Sequence, residues 1–539
     1  MKRVNQCFNK KSRLIKAPEL INLKENRLQS LNGEDIKGKL SQLLKIQNDF
    51  FPCFDWTFPP PLLNKHEAPD SADQLFSKPS VIPGRYSIYL HSPFCKSLCS
   101  FCYYAIIPGR GIDHAETYVD YLIREMAMYS DTLEGQVCES IYFGGGTPSY
   151  LDSKLLAKIF DALNKYFTID SNAEITIEAA PGTLSKQKSK FIKSLGVNRL
   201  SYGIQTLDET LLANMNRDYS VGIAITELEG ALDVIGNVNV DTMYGFDNEP
   251  DNALLDTLTH FYKIGIPSFS IYALDKQRSE SKISFEPPKD DYYEHKIRQF
   301  SRAEELLRSF SYRPVLQNVF VDPEHASYRH QLRRWDNLPL LAMGINSQGY
   351  APQQPYQNVG NLKSYYQLID ENRLPIATMD KLNAELELCR ELTSKLRFTY
   401  VSFSEFKYKY GVDLENVFCH LIEALEEMGF VERRYDILRM TGKAAYYNNI
   451  IPMLFAPDDF KQQLLGLPEE YLETFPVPYI MTQLGKAQSQ DFNLAGNNIN
   501  NNDRRINKDR RHLIGNYQYN KRLMPLGRRT TDNMQKWAT

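Results

Sequence analysis

Three cysteines, Cys95, Cys99 and Cys102, stand within eight residues of this 539-residue chain, directly after a predicted strand. Their C-x3-C-x2-C spacing brings three thiolates onto one short loop, and soft sulfur ligands select iron–sulfur clusters or zinc. Zinc would require a further paired ligand downstream, and no cysteine or histidine is spaced that way. The nearest imidazoles, His91 and His114, are expected to be structural or surface groups. The pattern therefore favours a 4Fe–4S cluster with one iron open to a small molecule.

The loop C-x3-C-x2-C is the signature of radical S-adenosylmethionine (SAM) enzymes, and further segments resemble the oxygen-independent coproporphyrinogen III oxidase group. These segments follow the family's order across residues 86–275, and weaker similarity continues to about residue 485. They are Y-x-H-x-P-F-C at 89–95, F-G-G-G-T-P at 143–148, E-x-T-x-E-x-x-P-G at 174–182, G-V-N-R-x-S-x-G-x-Q at 196–205 and D-x-x-Y-G at 241–245. The ordered set is much more specific than the cysteine loop alone, so the sequence predicts a radical SAM protein of this group.

The resemblance implies a SAM site beside the cluster. Glycine lets backbone approach a ligand closely, and in the family the carboxylate equivalent to Glu178 takes the ribose or amino group of the cofactor. Taken alone, the glycine run predicts only a turn, and Glu178 could be a solvated charge. The cofactor-binding candidates carried over from the family are Tyr89, Phe101, Gly145, Gly146, Thr147 and Glu178.

Three further positions match contacts to a second SAM molecule in the family. They are Gln205, Arg217 and Asp241, and Ala273 and Ile345 match cofactor contacts more loosely. The planar fork of Arg217 suits a carboxylate, and Asp241 stands at the carboxyl end of a predicted strand, where parallel α/β sites lie. The same residues could equally line a substrate pocket.

The activity implied by the resemblance is reductive cleavage of SAM. A donor of the flavodoxin or ferredoxin type reduces the cluster, and the resulting 5′-deoxyadenosyl radical abstracts hydrogen from an unactivated carbon. Cluster and cofactor supply this chemistry, while the protein supplies orientation and dryness. The leading interpretation is an oxidoreductase of porphyrin biosynthesis that acts on a tetrapyrrole or similar carboxylated substrate. A methyltransferase of the same group and a heme chaperone are the alternatives.

Two departures from the family pattern weaken the oxidase interpretation. Tyr104 occupies the place of a further cysteine, and the N-terminal Y-T-S-Y-P-T segment of the oxidase is absent. In addition, H-Q-L-R-R-W at 330–335 partly resembles the H-N-x-x-Y-W segment linked with heme in the chaperone branch, with Gln331 and Arg334 as substitutions. His330 is therefore a candidate axial ligand of heme. A packing or capping role at the edge of the barrel is the competing interpretation.

Composition restricts the class of protein. Hydrophobic residues make up 42% and charged residues 24%, which is typical of a soluble globular chain. No apolar run reaches the roughly 18 residues of a membrane span, and the basic N-terminus lacks the apolar core of a secretory signal. Eight cysteines are too few for a disulfide framework, so a cytoplasmic setting is expected. The net charge of −3 gives no general affinity for nucleic acid.

The elements that must position these residues begin near residue 84, where short strands alternate with helical periods. Because parallel strands require crossovers, six strand–helix repeats predict an α/β fold with a parallel sheet and outer helices. We expect a complete or partial TIM-like barrel first and a doubly wound open sheet second. The predicted strands are Tyr86–Leu90, Ser140–Phe143, Glu174–Glu178, Arg199–Ile204, Val238–Met243 and Phe269–Ala273.

Four regions are predicted along the chain: an irregular extension (1–80), the barrel core (81–375), a helical C-terminal domain (376–486) and a tail (487–539). In the C-terminal domain, helices over Glu405–Tyr410 and Leu414–Met428 and a ribbon over Phe430–Met440 predict a winged-helix pattern. The second helix is acidic, with four Glu and no Lys or Arg, which opposes DNA binding and favours a scaffold or lid. The tail is Asn-rich and then basic, a composition typical of disorder.

Overall fold

The computed structural model describes residues 68–441 except Tyr103, Asp218, Asp247, 275–291 and Gln317, together with Gly38 and residues 451–456. The tail, most of the N-terminal extension and residues 457–486 of the predicted C-terminal domain lie outside the described residues. The described strands are β1 Arg85–Ser92, β2 Phe94–Cys95, β3 Ile107–Pro108, β4 Val137–Gly145, β5 Ile169–Ala179, β6 Arg199–Gln205, β7 Val238–Tyr244, β8 Ser268–Ala273, β9 Arg313–Leu316, β10 Val319–Val321, β11 Leu340–Met343, β12 Gln348–Ala351, β13 Gln354–Asn358, β14 Ile376–Met379, β15 Val401–Ser402, β16 Val431–Arg434 and β17 Ile437–Met440.

The described α-helices alternate with the strands in the first part of the chain and dominate its end. They are α1 Ala72–Leu75, α2 Ala115–Tyr129, α3 Ser153–Tyr166, α4 Lys186–Ser194, α5 Glu209–Asn214, α6 Val221–Ile235, α7 Ala253–Ile264, α8 Tyr292–Ser309, α9 Arg329–Arg334, α10 Leu362–Asp370, α11 Ala384–Phe398, α12 Phe403–Tyr410, α13 Leu414–Val417 and α14 Cys419–Glu427. Short 3-10 helices cover Gly109–His114, Pro148–Tyr150 and Pro452–Phe455.

One large sheet organises the barrel region. Its strand order is β14-β13-β12-β11-β1-β4-β5-β6-β7-β8-β10-β9, and the seven strands from β11 to β8 in this order pair in parallel. The strands at both ends are antiparallel additions, and β9 does not pair with β14. The predicted α/β fold is confirmed, and among the described residues no strand pair closes the sheet into a complete barrel. All six predicted strands are present, each extended by one or more residues.

The parallel strands present two chemically different faces because successive side chains point to opposite sides. The outer face is apolar and packs against the helices, as Ile141, Ile177 and Val240 show. The inner face carries buried polar side chains. They include Ser87, Ser140, Thr176, Ser201, Asn239 and Ser270. A buried polar layer is tolerated only when its groups are paired, and Ser87 and Ser140 lie 2.7 Å apart while Asn239 donates to Ser270 at 2.9 Å.

The crossover helices begin at residues whose side chains accept a hydrogen bond from a free backbone N–H group. Asp152 caps α3, Ser185 caps α4 and Ser220 caps α6. Such caps stabilise a helix by about 1 kcal/mol and fix where it starts. The loops between the carboxyl ends of the preceding strands and these three helices therefore end at defined residues.

The C-terminal region contains the predicted helices and ribbon. Helix α12 is followed by α13 and α14, and β15, β17 and β16 form a three-stranded sheet. The expectation of one helix over Leu414–Met428 is wrong, because the helix is interrupted at Phe418, whose buried ring packs edge-on against Phe455 at 5.1 Å. Strand β14 still belongs to the large sheet, so that sheet extends past the predicted boundary at 375.

A buried ion-pair network joins α11 to the barrel and to α12. Lys395 lies 2.9 Å from Asp336, 3.5 Å from Glu391 and 2.7 Å from Glu405. Lys409 contacts Glu391 at 2.6 Å, and both lysine side chains are almost fully buried. The three carboxylates are close enough together to resemble a metal site, but the ammonium groups of Lys395 and Lys409 already pair with them. The network is a structural junction.

No helix among the described residues has the length and apolarity needed to span a membrane. The six described cysteines are free thiols, with no disulfide between them.

Removing the positive charge at the centre of this junction should destabilise the protein. In Lys395→Met, carboxylates that the lysine neutralises lose a buried partner, and we expect the free energy of unfolding to fall by about 3 kcal/mol. Lys407→Met is the matched control, because its pair with Asp413 is solvent-exposed and should contribute less than about 1 kcal/mol. Urea unfolding of both variants gives the comparison. Equal losses would show that the junction is not the stabilising contact.

Candidate functional site

The first half of the cysteine loop is fixed to the glycine segment at the end of β4. Backbone N–H groups of Gly146 and Thr147 donate to the carbonyls of Ser92 and Phe94, at 2.7 and 2.8 Å. The hydroxyl of Thr147 lies 3.4 Å from the sulfur of Cys95. Cys95 is therefore held by the glycine segment as well as by the pairing of β2 with β3.

Two of the three glycines are required by this close approach. A methyl group at position 146 would lie 2.8 Å from the carbonyl oxygen of Phe94 and 3.0 Å from the sulfur of Cys95, inside van der Waals contact. Gly145 has φ +110°, a conformation that side chains other than glycine rarely adopt, and a methyl group there would lie 2.6 Å from the His91 ring.

His91 is a structural histidine. Its Nε2 lies 3.1 Å from the carbonyl of Ala105, which can only accept, so Nε2 carries the proton. Nδ1 then accepts from the hydroxyl of Tyr89 at 3.2 Å. Burial lowers the pKa of the imidazole to about 4, so the ring is neutral. Both nitrogens are occupied, and His91 is not available as a fourth cluster ligand. His114 is exposed, at the start of α2.

The second half of the loop is held by the segment that follows α5. Ser100 donates from its backbone N–H group to Met215 and from its hydroxyl to Asn214, both at 3.1 Å. The side chain of Asn216 donates to the carbonyl of Leu98 at 2.6 Å. Cys99 and Cys102 are thus brought beside Arg217, the residue that follows this segment.

Arg217 places a buried positive charge next to the three thiols. Burial opposes this charge, but Cys99, Tyr219 and Cys102 hold the pKa of the guanidinium above its usual value. The guanidinium lies 5.5 Å from the centre of the Phe101 ring and 5.9 Å from that of Tyr219. Its Nε is buried and has no hydrogen-bond partner among the described residues. A buried cation with an unpaired donor fits a site for an anionic ligand.

Burial, with a smaller contribution from the neighbouring cysteines, raises the pKa of the Cys95 thiol to about 11 and that of the Cys102 thiol to about 12. The thiols are consequently protonated when no metal compensates their charge. Binding of iron by thiolates therefore releases protons at this loop.

Glu178 is held at the end of β5 from two sides. The hydroxyl of Tyr142 donates to Oε1 at 2.6 Å, and the N–H group of Gly145 donates to Oε2 at 3.2 Å. Tyr142 belongs to the inner face of β4, two residues before the glycine segment. The carboxylate is thus oriented into the same space as the cysteine loop.

Asp241 and Gln205 line the same pocket from β7 and β6. Asn239 and Ser201 donate hydrogen bonds to the Asp241 carboxylate at 2.9 and 3.2 Å, and these bonds hold the carboxylate in one orientation. Gln205 has φ +79°, which is uncommon for a residue with a side chain. Such backbone strain persists only where the surrounding structure enforces it and is concentrated at functional sites.

A single pocket brings together nearly all of the residues that the sequence singled out. Tyr89 does not line it, because its ring stacks on Tyr142 one layer behind. Ile345 does not line it either, since it is buried and donates its N–H group to Tyr118. His330 lies deeper in the barrel. The predicted residues that line the pocket are Cys95, Cys99, Phe101, Cys102, Gly145, Gly146, Thr147, Glu178, Gln205, Arg217, Asp241 and Ala273.

Sequence reasoning missed residues that complete the pocket. Tyr142 orients Glu178, and Tyr219 contacts Arg217 while its own hydroxyl donates to the Ile204 carbonyl at 2.6 Å. Met243 and Tyr272 supply apolar lining from β7 and β8. The alternation of side chains along β4, β7 and β8 could have predicted that Tyr142, Met243 and Tyr272 face the interior of the barrel. Tyr219 lies outside these strands, so this pattern does not predict it.

The donor set fits the cofactors implied by the sequence. Three cysteines line the pocket, and among the described lining residues there is no fourth cysteine or histidine. The loop can therefore supply three thiolates to a cluster and leave one iron to a small ligand. The unpaired Arg217 donor, the fixed Glu178 carboxylate and the open approach over Gly146 suit a zwitterionic nucleoside ligand such as SAM.

Comparison with known proteins gives the same assignment. Residues 89–261 match the model of the radical SAM superfamily. The chain is 26% identical over 376 residues to heme chaperone HemW of Bacillus subtilis (strain 168), an alignment that covers 67% of the chain and 97% of the relative. It is 29% identical over 300 residues to heme chaperone HemW of Synechocystis sp., with 52% of the chain and 70% of the relative covered.

The fold is also that of a solved structure. Coproporphyrinogen III oxidase HemN from Escherichia coli, a radical SAM enzyme, aligns with a TM-score of 0.65 at 21% identity, covering 75% of this chain and 96% of the oxidase. At that identity the likeness establishes the fold alone. Residues 89–261 therefore carry a radical SAM domain, and the chain as a whole is similar to HemN-like and HemW-like proteins.

Proposed function

We propose that this protein holds a 4Fe–4S cluster on Cys95, Cys99 and Cys102, binds SAM in the adjoining pocket, and handles heme as a chaperone of the HemW kind. The observation that supports the first two parts is the single pocket in which three thiols meet Arg217 and Glu178. A reducing cell interior suits both the free thiols and the cluster.

The cluster and SAM, when bound, supply one-electron chemistry that no side chain provides. The chain contributes binding and orientation. Glu178 accepts hydrogen bonds from the ribose or ammonium of the ligand, while Tyr142 and Gly145 keep its carboxylate in place. Arg217 neutralises the negative charge that thiolates and a carboxylate bring into a buried site. Phe101, Met243 and Tyr272 exclude water from the space above.

The chaperone part rests on the relatives and on one substituted position. The B. subtilis relative that aligns over 97% of its own length carries the name heme chaperone. Tyr104, which stands where the oxidase pattern has a further cysteine, lines the pocket. The resemblance to HemN is a resemblance of fold, so it does not support porphyrinogen oxidation over heme delivery. Methyl transfer gains no support from the pocket.

A reductant of the flavodoxin or ferredoxin type is proposed as the partner of the cluster. The second SAM implied by Gln205, Arg217 and Asp241 is not needed for the chaperone function. These residues share one pocket with Glu178, so they are proposed to contact the same SAM molecule or the group beside it.

The cluster assignment can be tested by anaerobic reconstitution with iron and sulfide. We expect the wild-type protein to bind four irons per chain, about the content of one cluster, and Cys99→Ala to lose the cluster because only two thiolates would remain. Cys419→Ala is the control, since Cys419 is an isolated cysteine on α14 and should leave the iron content unchanged. The electron paramagnetic resonance spectrum of the reduced cluster should change when SAM is added. A spectrum indifferent to SAM would contradict an open iron.

The dependence of the cysteine loop on the glycine segment gives a second test. Gly146→Ala introduces a methyl group into the contact with Phe94 and Cys95, so we expect cluster retention and SAM affinity to fall by about tenfold. Gly222→Ala is the matched control, because a methyl group at that helical position meets no atom within 4 Å. Retention is measured as iron content after gel filtration. Equal retention in the two variants would refute the proposed docking.

The choice between chaperone and oxidase requires heme and porphyrinogen assays on the same preparation. We expect the reconstituted protein to bind heme, seen by absorption titration, and to transfer it to an apo acceptor protein. We expect no SAM-dependent consumption of coproporphyrinogen III under anaerobic, reducing conditions. SAM-dependent decarboxylation of that substrate would overturn the chaperone proposal and restore the oxidase interpretation.

A further inference from the structure

His330 lies inside the barrel, below the cofactor pocket. It is buried, its Nδ1 lies 2.9 Å from the hydroxyl of Ser140, and its ring centre lies 5.2 Å from that of Tyr142. Ser140 and Tyr142 are neighbours on the inner face of β4. The imidazole thus contacts the strand that leads to the glycine segment.

The segment that carries His330 is clamped across the amino-terminal end of the sheet. Glu174 accepts hydrogen bonds from the hydroxyl of Ser327 at 3.1 Å and from the backbone N–H groups of Arg329 and His330 at 2.8 Å. Arg199 donates to the carbonyl of Ser327 at 3.2 Å. Its guanidinium also covers the face of Tyr328. The position of His330 is therefore fixed by two strands of the sheet.

Contacts run without interruption from His330 to the pocket. The His330 ring lies against the ring of Tyr142, and the Tyr142 hydroxyl donates to Glu178 at 2.6 Å. The same Tyr142 ring stacks on Tyr89, whose hydroxyl donates to His91. Removal of the imidazole would leave a cavity under Tyr142, and the ring could then move away from Glu178.

We propose that His330 is a positioning residue for the SAM site: it supports the Tyr142 ring from below and thereby holds the Glu178 carboxylate in the orientation that binds the cofactor. This inference rests on the proposed SAM binding by Glu178. It assigns to the motif histidine a role that does not involve contact with heme.

The surroundings of His330 fit this role better than axial ligation. Burial, with the positive charges of Arg334 and Arg199, lowers the pKa of the imidazole to about 3, so the ring is neutral. Both of its described neighbours on β4 belong to the interior of the barrel, and Glu174 and Arg199 hold the segment that carries it. In this role the His330 side chain supports Tyr142 through the packing of its ring and not through its polar nitrogen atoms.

The test compares SAM affinity in reconstituted full-length variants, by equilibrium dialysis and by the KM for 5′-deoxyadenosine formation. We expect His330→Ala to weaken SAM binding by about tenfold, as outer-shell residues commonly do. His330→Phe should restore most of the affinity, because it keeps a ring under Tyr142 and Ser140 retains Ser87 as a partner. His325→Ala is the matched control, since His325 in the same region is exposed and pairs only with Asp322.

Two further variants separate positioning from a general loss of stability. Tyr142→Phe removes the hydroxyl that holds Glu178 and should weaken SAM binding, and His330→Ala should add little to it, because both act on one contact. Heme affinity and the heme absorption spectrum should be the same in His330→Phe and in the wild-type protein. Loss of heme binding in His330→Phe with unchanged SAM affinity in His330→Ala would overturn the inference in favour of axial ligation.

The proposed function and this inference fail in different ways. If Glu178→Gln weakens SAM binding but His330→Ala does not, the inference is wrong and the SAM site stands. If the reconstituted wild-type protein does not bind SAM, the proposed function is wrong and the inference is refuted with it.

Discussion

The site depends on the contact between the backbone of residues 92–94 and the glycine segment at the end of β4. Two short hydrogen bonds place Cys95 at the carboxyl end of the sheet, and Gly146 permits them because it has no side chain. The other two cysteines reach the same space through the segment after α5. The three thiols are thus assembled by contacts that lie outside the cysteine loop itself. A cluster-binding loop of this kind is specified by its supports as much as by its ligands.

The polar inner face of the sheet is a second feature that fixes the orientation of the side chains in the pocket. Ser87 is paired with Ser140, and Asn239 with Ser201 and Ser270, which offsets the cost of burying these polar groups and fixes the carboxylates above. Asp241 is held by Asn239 and Ser201, and Glu178 by Tyr142 and Gly145. These hydrogen bonds connect side chains inside the barrel to the carboxylates that line the pocket. Packing of the outer face against helices supplies the stability that such a polar interior lacks.

Much of this architecture could be predicted from the sequence, for identifiable reasons. The six predicted strands were found because each is a short β-rich run separated from the next by a helical period. Twelve of the candidate site residues line one pocket, and their roles as ligands stay predictions. The antiparallel additions β12–β14 and the interruption at Phe418 were not predicted, since both depend on tertiary partners. The role of Tyr142 and the interior position of His330 depend on which strand faces which segment. Sequence spacing does not encode that relation; the fold does.

The cysteine loop is attached at two separate points of the barrel mouth, to the end of β4 through Cys95 and to the residues after α5 through Ser100 and Leu98. Metal bound by all three thiolates would act as a cross-link between these two points, in the way a structural staple closes a long loop. Iron supply would then determine how rigidly the cysteine loop is held at the mouth of the barrel, in addition to whether a cluster is present. A chain made during iron shortage would keep its barrel but have a loosened entrance, which makes it a natural substrate for cellular quality control.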